Sequence, residues 1–251
     1  MLERNYLRGI ELCGMPPKSS YLSRLPVIKH LSGMGRLTFD APVTFIVGEN
    51  GTGKSTLLEA IAVAVGFNPE GGGRNFTFST NDSHSELWKY LDTLKTTMPK
   101  DGYFLRAESL YNLASNIDKM DKEPSFDPPV IKSYGGVSLH KQSHGESFLS
   151  LIKNRFGGKG LYIFDEPEAA LSPMRLLTLI AEINRLVECN SQIIIATHSP
   201  ILMAYPKAEI IELSYSGIRK AKYNDTEHYK VTKQFLDNPD RMLKYLLYDN
   251  E

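Results

Sequence analysis

Cysteine, tryptophan and surplus charge are scarce in this chain of 251 residues. Two cysteines, Cys13 and Cys189, are too few for a disulfide framework or a four-cysteine zinc site, and they fit a reducing compartment. Lys and Arg number 29 and Asp and Glu number 29, so no net positive field announces a nucleic-acid partner. Any such surface has to be a local patch. Long apolar runs are missing as well. Stretches such as Val43 to Val47 and Ile193 to Ala196 fall far short of the ~20 residues that cross a bilayer. The opening Met1-Leu2-Glu3-Arg4-Asn5-Tyr6 has no apolar signal segment. A cytoplasmic location without membrane insertion is therefore expected. What is present is ordinary: 41% hydrophobic and 23% charged residues describe a folded globule rather than a disordered chain. At roughly 150 residues per domain the length allows one or two domains.

Periodicity and punctuation give the organisation. From residue 25 to about 66 the pattern predicts strand, turn, strand, glycine loop and helix. Val43-Thr44-Phe45-Ile46-Val47 is β-branched and aromatic, which suits a buried strand. Gly48 to Gly53 breaks it, and Leu57, Leu58, Ile61, Ala62 and Val65 then recur at helical spacing, with Gly66 placed as a cap. Residues 67–83, which include Gly71-Gly72-Gly73-Arg74-Asn75, predict an exposed loop. Residues 84–156 read as a mostly helical lobe inserted into the core, interrupted by a strand at Tyr103 to Arg106 and a loop at Glu123 to Pro129. Then come a strand at Leu161 to Phe164, a helix at Met174 to Val187 and a strand at Gln192 to Ala196. A hairpin follows around Ser214-Tyr215-Ser216-Gly217, and two short helices end the chain. Strands alternating with helices imply an α/β fold with a mostly parallel core sheet and its ligand at the C-terminal strand edge.

The glycine loop has a definite chemistry. Gly48-Glu49-Asn50-Gly51-Thr52-Gly53-Lys54-Ser55, followed by Thr56, fits G-x-x-x-x-G-K-[ST] between a buried strand and a helix. Glycines let backbone N–H groups turn inward onto phosphate oxygens, and the helix start adds its positive end. Lys54 is suited to the β- and γ-phosphates and the Ser55 hydroxyl to Mg²⁺. The cofactors expected are ATP and Mg²⁺. A second buried strand ends in Asp165-Glu166; Asp165 is the candidate for the metal shell and Glu166 for polarising the attacking water.

Further motifs carry a resemblance. Asp165-Glu166-Pro167-Glu168-Ala169-Ala170-Leu171-Ser172-Pro173 is similar to the Walker B and D-loop of ABC-type ATPases. Thr197-His198-Ser199-Pro200 resembles their switch-histidine loop, and Ser143-His144-Gly145-Glu146-Ser147 stands where they carry a Ser-Gly-Gly-Gln signature. The motifs span residues 48 to 200 in the family's order. The chain most resembles stand-alone predicted ATPase heads of the SMC/RecF-like branch, which implies a P-loop fold of ABC type over 1–251. It also implies an ATP-dependent homodimer in which Ser143 and Gly145 of one subunit meet the γ-phosphate held by the other. By the same resemblance His198 contacts the γ-phosphate, and Glu108 is the positional candidate for the metal-binding Q-loop residue. Ser143 equally suits an N-cap and Glu108 the first acid of a helix.

Partners are less legible. Only 89 residues separate Lys54 from Ser143, with no sustained heptads, so the long coiled-coil arms of chromosome ATPases have no room there. The basic runs Lys153-Asn154-Arg155 and Arg219-Lys220-Ala221-Lys222 could meet a few phosphates but more commonly form solvated faces. Phe76, Phe78, Trp88 and Tyr111 form no stacking motif. Three readings follow. The first is an ATP-hydrolysing, dimerising switch acting on an unknown effector protein or nucleic acid, in genome maintenance or phage defence. The second is the nucleotide-binding subunit of an ABC transporter, recognisable by co-purification with a multi-span protein. The third is a non-catalytic ATP-sensing clamp, recognisable by the absence of phosphate release.

Overall fold

The computed structural model describes residues 5–73, 84–122 and 128–248. Strand β1 (Leu7–Leu12) leads to helix α1 (Pro26–Met34), the short β2 (Arg36–Thr38), β3 (Val43–Gly48) and α2 (Lys54–Ala64). After β4 (Leu91–Lys95) and β5 (Asp101–Arg106) come α3 (Leu110–Met120) and α4 (His144–Arg155). The second half contains β6 (Gly160–Asp165), α5 (Pro173–Glu188), β7 (Gln192–Ala196), α6 (Pro200–Met203), β8 (Ala208–Leu213), β9 (Ile218–Ala221), α7 (Glu227–Asp237) and α8 (Pro239–Tyr248).

The core sheet has the order β5-β6-β7-β3-β8-β9. Its first five strands run parallel and β9 closes an antiparallel hairpin on β8. Strands β3, β6 and β7 are buried at every position, which is why each reads as an unbroken apolar run: both faces are covered. Successive side chains serve opposite layers. Phe45, Tyr162 and Ile195 pack with α3, α4 and α5, whereas Ile46, Ile163 and Ile194 pack with α1, α2 and the small antiparallel sheet of order β2-β1-β4.

Three expectations are corrected. The stretch expected to open as a strand near residue 25 is helix α1. Pro26 occupies its first turn, and Val27, Ile28 and Leu31 recur at helical spacing and are buried. The helical lobe is shorter than 84–156. Leu91–Lys95 instead pairs with β1 (Leu91 opposite Leu12, Thr93 opposite Ile10), while the strand expected at Tyr103 to Arg106 is present as Asp101–Arg106 and belongs to the edge of the core sheet. The helical segments described in this region are α3, α4 and three short 3-10 turns, over Glu86–Tyr90, Val130–Tyr134 and Leu139–Lys141. Third, Gly71, Gly72 and Gly73 are buried, not exposed, because Gly72 makes a two-way backbone bridge to Phe104. The expected loop residues 74–83, with Phe76 and Phe78, and residues 123–127 lie outside the described residues.

Among the described residues no helix is long and apolar enough to cross a membrane. The basic runs are largely paired. Arg155 bonds Asp101 at 3.0 Å, Arg219 bonds Glu212, and Lys220 lies between Asp40 and Glu209. Trp88 is half-buried and Tyr111 is exposed.

Candidate active site

Parallel strands all point their C-terminal ends the same way, so the loops after β3, β5, β6 and β7 share one edge of the sheet. The glycine loop leaves β3 at Gly48, where a Cβ would lie 1.9 Å from the Leu213 carbonyl oxygen of the neighbouring strand. It enters α2 through Gly53 at φ +99°, where a Cβ would also strike Val27 at 2.6 Å. Only glycine suits both positions. Thr52 is buried and its hydroxyl donates to the Glu49 carbonyl, while Glu49, Asn50 and Gly51 face solvent and Ser55 and Thr56 are half-buried at the helix start. The first N–H groups of α2 have no acceptor within the helix and point into this loop. Lys54 is buried, and its ammonium donates to the carbonyls of Gly48 at 2.8 Å and Glu49 at 2.9 Å. Burial draws its pKa down, against the opposing pull of Glu166, Asp165 and Glu168.

Strand register brings the acids here. Asp165 ends β6 opposite Arg106 of β5 and Ala196 of β7. Its carboxyl is buried, with Oδ1 lacking any partner and Oδ2 lying 3.5 Å from the Arg106 guanidinium. Burial pushes its pKa up to about 6, although Arg106 and the Ser55 hydroxyl pull it down. A desolvated, half-satisfied carboxylate beside a hydroxyl and a glycine cradle matches the donor set for Mg²⁺ and nucleotide phosphates. Glu108 sits exposed in the turn after β5, where its charge raises the pKa of Asp165 further.

Glu166 adopts the left-handed conformation, φ 48° and ψ 55°, which is uncommon for a residue with a Cβ. Its N–H bonds the Ala196 carbonyl at 3.0 Å, and its Oε1 lies 3.5 Å from Nε2 of His198, which follows β7. Ser143 and Gly145 are not bonded to this cluster. Ser143 caps α4, its hydroxyl donating to Glu146 at 2.6 Å and accepting from Arg175 at 3.1 Å. Gly145 leaves space for the same Arg175, since a Cβ would lie 2.5 Å from its guanidinium.

Three further residues given no role from sequence, Glu168, Glu59 and His228, complete the cluster. Glu168 is mostly buried; its Oε1 accepts the His198 N–H, and its Oε2 has no partner. Burial raises its pKa. Glu59 of α2 holds Arg106 at 2.8 Å. His228 of α7 reaches Nδ1 of His198 at 2.8 Å. Only Glu168 had a visible signal, as the third acid of Asp-Glu-Pro-Glu; the others arrive from elements that no local motif connects. His198, His228, Glu49 and Asn50 line a pocket of about 470 Å³ with Glu227, Val231 and Thr232.

A stability prediction follows. The folded pKa of Asp165, about 6, exceeds its ordinary 3.8, so the folded state binds this proton more tightly than the unfolded chain. Stability from this group therefore rises as pH falls through 6, and above that the charged form is carried at a cost. Asp165→Asn is expected to stabilise the nucleotide-free protein near pH 8 by on the order of 1–3 kcal/mol in urea unfolding, with a smaller gain near pH 5. A variant less stable than wild type near pH 8 would contradict this.

Comparison with known proteins agrees with the geometry. A family model described as "AAA domain" matches residues 31–108, which contain the glycine loop and β5. A second, described as "AAA domain, putative AbiEii toxin, Type IV TA system", matches residues 146–204, which contain Asp165 through His198. The chain is 27% identical over 123 residues to the Retron Vc95 probable ATPase of Vibrio cholerae serotype O1 biovar El Tor, covering 42% of this chain and 24% of that protein. It is also 27% identical over 113 residues to the structural maintenance of chromosomes protein 6 of Takifugu rubripes, covering 44% of this chain and 10% of that protein. The matches thus span about a quarter and a tenth of those relatives. Among solved structures, cbiO1 from Clostridium perfringens, described as part of the ABC transporter complex cbiONQ, superposes with a TM-score of 0.53 at 18% identity over 95% of this chain and 97% of that one. The order of strands, the glycine loop and the superposition converge on one assignment: this chain has the α/β P-loop fold of an ABC-type ATPase head, and two AAA-domain models match parts of it.

Proposed function

We propose that this protein binds ATP with Mg²⁺, hydrolyses it, and uses the cycle as a dimerising switch on a partner protein or nucleic acid. The observation that carries the reading is the convergence of Lys54, Asp165, Glu166 and His198 at one sheet edge, from the ends of three adjacent parallel strands. In this reading Ser55 and Asp165 hold Mg²⁺, with Glu108 at the exposed rim; bound there, the ion would neutralise phosphate charge. Lys54 and the loop N–H groups bind the phosphates. Glu166 takes a proton from water as the water oxygen bonds to the terminal phosphorus and the bond to the ADP oxygen breaks. His198 holds Glu166 and the reacting phosphate in register. The matched toxin–antitoxin family description and the retron ATPase support an effector in a defence system over one in transport.

The homodimer rests on Ser143 and Gly145. Both stand at the start of a long helix, where N–H groups suit an anion, and neither is bonded to the chain's own phosphate loop. A two-fold sandwich would bring each to the other subunit's nucleotide. Light scattering should show a Glu166→Gln variant shifting from monomer to dimer mass with ATP and Mg²⁺ but not with ADP. Ser143→Arg should block that shift while each chain still binds ATP. A monomer in every nucleotide state, together with phosphate release by the wild type, would eliminate the homodimer.

A further inference from the structure

We infer that His228 is a positioning residue for the proposed hydrolysis: it donates a hydrogen bond from Nε2 into Nδ1 of His198 and so fixes the proton of His198 on Nε2, facing Glu166. The inference rests on the ATPase reading for its consequence, but the ring assignment stands on its own geometry.

The two rings meet edge to edge, with His198 Nδ1 and His228 Nε2 2.8 Å apart and the ring centroids 4.9 Å apart. The far nitrogen of each ring has a different fate. His198 Nε2 lies 3.5 Å from the Glu166 carboxylate, while His228 Nδ1 is buried without any partner. Burial and the nearby Lys54 ammonium both disfavour the imidazolium form of either ring, so each carries one ring proton at neutral pH.

Four proton arrangements have to be compared. If both facing nitrogens are protonated, two hydrogens are forced together across 2.8 Å with no acceptor between them. If His198 carries its proton on Nδ1, it donates to His228 Nε2, and His228 must then keep its own proton on the buried Nδ1. That arrangement orphans a buried donor and turns a bare His198 nitrogen toward a carboxylate, so two acceptors face each other. If the two facing nitrogens are both bare, lone pairs meet at 2.8 Å with nothing between them. The remaining arrangement runs one way. His228 Nε2–H donates to His198 Nδ1, and His198 Nε2–H points to Glu166. Its single cost is a buried bare nitrogen on His228. The partner on one ring nitrogen decides what the other can do.

This tautomer is the one the site needs. Carboxylate and phosphate oxygens only accept, so a histidine serving them must present a donor. The His198 main chain is already held by Glu168, which leaves the ring proton as the undetermined feature. His228 settles it from α7, whose first turn is anchored by the buried Thr226, with the hydroxyl accepting from the Tyr229 N–H. Helix α7 thereby becomes part of the active site, although no local motif marks it.

Two substitutions separate positioning from mere packing. His228→Phe keeps a ring of similar size but has no donor, whereas His228→Gln restores an N–H donor. Ring-nitrogen NMR of the full chain labelled at histidine, without nucleotide, should show His198 of the wild type protonated on Nε2, a mixture in His228→Phe, and Nε2 again in His228→Gln. Turnover should fall about 10- to 100-fold in His228→Phe, as when a supporting partner of a reacting histidine is lost. His228→Gln should recover most of it. A wild-type His198 protonated on Nδ1, or equal turnover in the two variants, overturns the inference. Wild-type protein that releases no phosphate would instead overturn the ATPase reading, and the NMR result would still decide the ring assignment.

Discussion

Glu166→Gln is expected to lower phosphate release from ATP by on the order of 10²-fold or more, with ATP binding retained, as is typical when a general base is lost. The substitution keeps the length and planar end of the side chain and removes only its charge and basicity. Backbone geometry should survive, because the left-handed turn at Glu166 is held by its N–H bond to Ala196 and by Pro167 after it, neither of which involves the carboxyl group. The side chain is also partly exposed, so no buried charge is left unpaired. Single-turnover phosphate release on protein saturated with ATP isolates the chemical step. Hydrolysis near the wild-type rate would mean that Glu166 is not the base, and attention would pass to Glu168, the neighbouring acid whose pKa burial raises.

Lys54→Ala is expected to weaken ATP binding by about 10²-fold or more, from the loss of charge-assisted bonds worth roughly 1.5–3 kcal/mol each. The lysine is the cation nearest the loop, and it is held there by two carbonyls of that loop. Its removal leaves Asp165, Glu166 and Glu168 facing the phosphates, which adds repulsion to the lost attraction. A folding control is needed, since the ammonium also ties the loop to α2. Lys54→Met keeps most of the stem and should lose affinity to a similar extent with less effect on the melting temperature. Unchanged ATP affinity in folded Lys54→Ala protein would remove the nucleotide site altogether.

The residues that declared themselves in sequence did so for a local reason. A phosphate loop needs glycines at fixed offsets because the backbone must turn back and approach a neighbouring strand closely, and Gly48 against Leu213 shows how little space is available. Buried parallel strands have no polar face, so β3, β6 and β7 were legible as apolar runs whose ends carry the acids and His198. In each case the chemistry is compressed into a few consecutive residues.

What stayed hidden depends on distance along the chain. The strand β4 has only a weak pattern of its own, and its partner β1 lies some eighty positions earlier, so pairing and not propensity makes it a strand. The same holds for Gly71 to Gly73, which look like solvent-exposed loop until the edge of β5 supplies hydrogen bonds that bury them. Helix α1 is too short for its spacing of Val27, Ile28 and Leu31 to stand out in the sequence, and packing on the antiparallel sheet and α2 fixes it as helix. Sequence alone thus determined the α/β class, the phosphate loop and the acids at the strand ends, since those are properties of short segments. Only the tertiary structure decided that Glu59 grips Arg106, that Glu168 holds the His198 backbone, and that His228 meets the His198 ring, because each is a contact between residues thirty or more positions apart that are brought together only at the assembled sheet edge.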